Sequence, residues 1–167
     1  MSIQNPKQLF VQLLSDLRQS TERSTKFYSE LSQLAVNPEI KEALEARAFI
    51  TTKVLATQDQ CFKLIGEQPV KSNSRVQEIF VEDFRKELTE IQNPAAKHLY
   101  ILVKAMHLTQ LRVAEYTALV AAADVTGHYA VGVLLESCLA DKLAFVERTR
   151  RLIRNQFESK IAQRMAA

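Results

Sequence analysis

The chain has 167 residues, a net charge of +3 and 47% hydrophobic residues, which suits one domain over residues 1–167 that buries roughly two thirds of its unfolded surface. So small a charge does not by itself imply a nucleic-acid partner. Only 3 Gly and 4 Pro, with little clustering of β-branched residues, point to an all-α chain and against a sheet-based enzyme fold.

No apolar stretch reaches ~18 residues, and the start, MSIQNPKQLF, lacks a charged segment followed by an apolar run. Neither a membrane span nor a signal peptide is expected, and the reading is cytoplasmic. Cys61 and Cys138 fall in predicted helices without a C-x-x-C pairing, so they read as reduced, packed thiols.

In chain order, Asn5-Pro6, Asn37-Pro38 and Asn93-Pro94 each put a capping side chain before a proline. The missing proline N–H costs nothing at a first helical position, so these are three helix starts. The first helix is predicted from about Pro6 to Ala35, with Phe10, Leu13, Leu17, Thr21, Tyr28 and Leu31 inward. The second runs from Pro38 to Ile65, with Ile40, Leu44, Ala48, Leu55, Phe62 and Ile65 inward, and Gly66 closes it in a left-handed cap before Pro69. After a polar loop, SRVQEIFVEDFRKELTEI gives a shorter amphipathic helix, with Val76, Ile79, Phe80, Phe84, Leu88 and Ile91 on one side. It is placed outside the main bundle, crossing between its halves.

The stretch from Pro94 to Ala123 is apolar nearly all round, as a helix packed on several sides must be. Its inner seam is predicted through Leu102, Met106, Thr109, Val113, Tyr116 and Val120. A turn over Asp124 to Gly127 precedes a last helix from about His128. The expected architecture is an up-down bundle of two helical hairpins with an additional crossing helix.

Several stretches are similar to one family. VQLLSDL, NPEIKEALEA, DQCFKLIGEQP, VAEYTAL, and Gly127 followed by LLESCLADK resemble the YciE/YciF-like ferritin-like proteins, bacterial stress-associated four-helix bundles, over about Gln8 to Ile153. The resemblance implies a homodimeric bundle related to the di-iron and di-manganese carboxylate proteins. Such a dinuclear site needs a glutamate on each of two helices and Glu-x-x-His on the other two.

Those ligands are missing here. The first-helix glutamate position carries Thr21, with Glu22 adjacent, and the second helix has Phe49 and Thr52. The central helix has Thr109 and Arg112, and the last helix keeps Asp141 between Ala140 and Lys142. One carboxylate with threonines, an aromatic and an arginine cannot neutralise two divalent cations. Thr21, Phe49, Thr52, Thr109, Arg112 and Asp141 are therefore read as a vestigial core site, with Arg112 paired to Asp141, Glu22 or Glu45 in a metal-free core. The bland reading stands beside it: the threonines bond to carbonyls one turn back, and Arg112 is an ordinary flank residue.

His98, His107 and His128 have no spacing that suggests a ligand set, and no glycine-rich loop supports a nucleophile. No catalytic or metal residues are assigned. From Glu147 to Arg164, six basic residues face two acids. The segment 154–167 reads as a basic C-terminal extension, either solvated or, through Arg150, Arg151, Arg154 and Phe157, a contact surface for a second subunit or another protein. Aromatic interleaving for nucleic acid is absent. The preferred function is a non-catalytic, cofactor-free structural or interaction module, in the stress setting that the resemblance implies. The alternative is a divergent iron or manganese protein with oxidase or peroxide-handling activity, drawing ligands from Glu22, Glu45, Glu115 and Asp141.

Overall fold

The computed structural model describes the backbone of residues 3–72 and 74–165 and the side chains of 3–72 and 74–158. Five helices follow in order: α1 (Pro6–Leu34), α2 (Pro38–Ile65), α3 (Val76–Glu90), α4 (Pro94–Val125) and α5 (Tyr129–Met165). No strand occurs among the described residues.

The three Asn-Pro starts behave as capping chemistry dictates. The Asn5 side chain accepts the Gln8 N–H at 2.9 Å, Asn37 accepts from Glu39 and Ile40, and Asn93 accepts from Ala95 and Ala96. Gly66 ends α2 at φ 68° and Gly127 makes the α4–α5 turn at φ 74°, both in the left-handed region that glycine enters without strain.

Helices α1 and α2 form one antiparallel hairpin and α4 and α5 the other, with α1 against α4 and α2 against α5. Residues 10, 14, 17, 21, 24, 28 and 31 of α1 are buried, as are 102, 105, 109, 112, 116, 119 and 123 of α4. This alternation of four and three is the seam of a four-helix bundle. It runs on α2 through 40, 44, 47, 51, 54, 58 and 61, and on α5 through 131, 135, 138, 142, 145, 149 and 152.

Apolar side chains gather in two clusters. One contains Phe27, Leu31, Leu44, Phe84, Leu102 and Phe145; the other contains Phe10, Leu14, Leu17, Phe62, Leu119 and Leu135. The seam positions between them are polar.

Helix α3 crosses outside the bundle against α1 and α4, one helix from each hairpin. Arg85 grips Glu30 of α1 through two bonds of 2.9 and 2.6 Å, and Lys104 of α4 reaches Glu87 at 2.7 Å. Its inner face is Gln77, Phe84 and Leu88, with Phe80 and Val81 partly buried, whereas Val76 and Ile79 are exposed. Phe80, Phe84 and Leu88 face inward as expected, while Val76 and Ile79 do not, because the polar Gln77 takes the inner place at the start of α3.

Leu13 likewise lies on the outside of α1 and Leu14 within. Phe84 packs edge-on to Phe27, with centroids 5.1 Å apart, and stacks on Tyr100. Phe84→Ala should therefore destabilise the protein by about 3–5 kcal/mol in urea unfolding, while Ile79→Ala stays within about 0.5 kcal/mol.

A candidate functional site in the polar centre of the bundle

The middle of α1 offers three polar groups on the seam, Thr21, Ser24 and Tyr28, and each meets a different element. Thr21 donates to the Leu17 carbonyl at 2.8 Å and accepts from Gln58 Nε2 at 3.0 Å, and that amide also donates to the Tyr116 hydroxyl at 2.8 Å. Ser24 donates to the Ser20 carbonyl and accepts from Gln77 Nε2 at 3.1 Å. Thr109 donates to the Ala105 carbonyl at 2.8 Å, which commits its proton, so Tyr28 is the donor in their 2.8 Å contact. Threonine back-bonding thus holds for Thr21 and Thr109, and both also accept a bond from another helix.

Three cations lie within this layer among the described residues: Arg47 at 2% exposure, Arg112 at 3% and Lys142 at 2%. Arg112 donates to Gln77 Oε1 at 2.8 Å and forms a short ion pair with Glu115, three residues on in α4. Burial of Arg112 agrees with the sequence reading, but its partner is none of Asp141, Glu22 or Glu45. Asp141 is exposed, Glu22 lies 3.9 Å from Arg18, and Glu45 lies 4.0 Å from Lys41 on the surface of α2.

Arg47 rests between the Phe145 and Tyr28 rings, at 5.1 and 5.4 Å from their centroids. Its Nε and Nη1 have no hydrogen-bond partner among the described residues. Lys142 Nζ sits 4.8 Å over the Tyr116 ring and also has none. Burial, then repulsion from Arg47, pushes the Lys142 ammonium down to about 7.

Three residues expected in the core lie outside it. Phe49 is 62% exposed, with Lys53 over its ring, and Thr52 is exposed with its hydroxyl on the Ala48 carbonyl. On α2 the seam passes from Leu44 through Arg47 and Thr51 to Val54, which leaves 49 and 52 on the far side. On α5 the step from Cys138 to Phe145 passes through Lys142, so Asp141 faces water. Arg47, Thr51, Gln58, Gln77 and Lys142 were missed because hydrophobic periodicity does not register a polar core. Stepping by four and three from Leu44 or Leu135 would have found those on α2 and α5.

The donor set does not fit two divalent cations. No group of three or more His, Cys, Asp or Glu that could hold a metal occurs among the described residues, and the seam carries positive charge where carboxylates would be required. Cys61 and Cys138 are buried and free, and burial pushes the Cys61 thiol up to about 12, which suits inert packing. His128 stacks on Phe10, and His107 is exposed.

Arg150, Arg151, Arg154 and Phe157 are all exposed on α5, with Arg150 3.2 Å from Glu147. The backbone of the extension continues α5 to Met165, while Lys160 and Arg164 of the basic segment lie outside the described side chains. Phe157 lines a shallow cavity of about 180 Å³ with Asn93, Ala95, Ala96 and Leu99 at the start of α4.

Sign and size of the Lys142 effect follow from linkage. Its folded-state affinity for a proton is depressed, so between about pH 7 and 10.5 the unfolded chain holds more protons and stability rises with pH. Below about pH 7 the penalty is complete, of the order of 5 kcal/mol. Lys142→Met should unfold at higher urea than wild type at pH 6, and the gap should narrow by pH 9. An equal gap at both pH values would show that the ammonium is not destabilised.

Comparison with known proteins supports the fold. A structure of YcfI from Rhodopseudomonas palustris, described as "a putative structural protein", superposes with a TM-score of 0.86 at 22% identity over 89% of this chain and 95% of that one. The E. coli stress protein YciF matches with a TM-score of 0.88 at 18% identity, covering 93% and 99%. A protein from Xanthomonas campestris pv. campestris matches at 0.71 and 16%, covering 96% and 99%. At these identities the likeness establishes the ferritin-like helical fold alone. No curated protein sequence matches. The family profile for a domain of unknown function, DUF892, spans residues 5–163, and the chain belongs to that family.

Proposed function

We propose that this protein is a non-catalytic, metal-free member of the ferritin-like bundles, acting as a structural or protein-interaction module in a stress setting. One observation carries the reading: the seam positions facing the middle of the bundle hold Arg47, Arg112 and Lys142. Buried positive charge repels divalent cations, and none of these side chains, while protonated, offers a lone pair to one. The carboxylates of the alternative reading are dispersed. Glu22, Glu45 and Asp141 are on the surface, and Glu115 is engaged by Arg112.

The description of YcfI as "a putative structural protein" and of YciF as a stress protein supports the same direction. A homodimer in the cytoplasm is the assembly we propose, with Arg150, Arg151, Arg154 and Phe157 as the contact surface for a second copy or another protein. No helix among the described residues is long and apolar enough to cross a membrane.

Elemental analysis of protein from cells supplied with iron and manganese, together with its mass in solution, tests this reading. Metal close to zero per chain in a folded dimer is expected. About two metals per chain would overturn it in favour of oxidase or peroxide chemistry.

A further inference from the structure

Of the three buried cations, Arg112 alone has an acidic partner among the described residues. Arginine does not release its proton in a protein, so Arg47 remains charged. Its flanking rings return part of the solvation lost on burial, yet Nε and Nη1 still lack an acceptor. Lys142 Nζ, on the neighbouring helix α5, is equally unpartnered. Arg47 lies over the ring of Phe145, which follows Lys142 by three residues on the same buried face of α5, so the two cations are neighbours across the α2–α5 seam. Uncompensated buried charge of this kind is severely destabilising, and a counter-ion relieves it.

The geometry points to an anion-binding site between α2 and α5, in which Arg47 and Lys142 hold a small inorganic monoanion of halide size. The unpartnered donors, Arg47 Nε and Nη1 and Lys142 Nζ, are few. They can satisfy a single monovalent ion, whereas a phosphate or sulfate would bring more acceptor oxygens and charge than they can meet. The two cations themselves rest on the faces of Tyr28, Phe145 and Tyr116. The Gln58 carbonyl oxygen, which also lacks a partner, is an acceptor and takes no part in holding the ion. This inference shares the cationic centre with the proposed function but extends beyond it, since a scaffold could stand with or without the ion.

Thermal unfolding of the full chain in sodium bromide and in sodium gluconate, at fixed ionic strength, provides the test. Gluconate is too large to enter. Wild type should gain roughly 3–5 °C per tenfold rise in bromide above its dissociation constant. Arg47→Met and Lys142→Met should both lose that dependence, and Lys142→Met serves alone if Arg47→Met does not fold. A crystal of wild type grown in bromide should show an anomalous peak within hydrogen-bonding distance of both side chains. Equal midpoints in the two salts with no such peak, or undiminished bromide dependence in Lys142→Met, would overturn the anion site alone. Iron or manganese at that position would overturn both it and the metal-free reading.

Discussion

Positive charge buried at the centre of a helical bundle has to be reconciled with its surroundings, and much of this protein's architecture follows from that requirement. Arg47, Arg112 and Lys142 project inward from α2, α4 and α5 between two apolar clusters. Each is met differently. Arg112 has a carboxylate and an amide, Arg47 has two aromatic faces, and Lys142 has one ring and a weakened hold on its proton. The apolar clusters at either end supply the favourable burial against which these costs are set.

The crossing helix acquires a second role in this light. It closes one side of the bundle through Phe84 and Leu88, and through Gln77 it also joins the Arg112 guanidinium to Ser24 of α1. A glutamine suits that place because its amide presents an acceptor to the cation and a donor to the hydroxyl. Removing α3 would leave the Arg112 Nη2 donor and the Ser24 acceptor without partners. The helix that connects the hairpins is thereby tied to the same polar layer as the helices it connects. Together with Gln58, Tyr116, Thr109 and Tyr28, the layer spans four helices through side-chain bonds, and Lys142 adds α5 through its ring contact.

What could be read in the sequence was what apolar periodicity and capping chemistry encode. Three Asn-Pro signals placed three helix starts, Gly66 placed a helix end, and the hairpin arrangement with its crossing helix followed. Apolar periodicity on α1 and α4 put Thr21 and Thr109 in the interior, whereas Arg112 was assigned there only through the family's ligand positions, the predicted seam having passed through Val113. On α2 and α5 the seam is interrupted by Arg47, Thr51, Gln58 and Lys142, whose polarity marks them as surface residues on any hydropathy scale. Phe49, Thr52 and Asp141, which face water, were assigned to the centre through the family's ligand positions and not through the periodicity. Hydrophobicity predicts burial well only where the buried residue is apolar; at this centre it is not.

The central claim is that the middle of the bundle is a buried cationic layer, and Lys142 reports on it most directly. The ε-carbon and ε-nitrogen signals of isotopically labelled lysines can be followed by NMR as a function of pH, with Lys142→Met identifying the Lys142 signal. One lysine titrating near the value of about 7 that burial and Arg47 impose is the predicted result. In halide-free gluconate buffer, a Lys142 signal titrating with the others near 10.5 would contradict the account, because the ammonium would then be solvated or paired with a carboxylate.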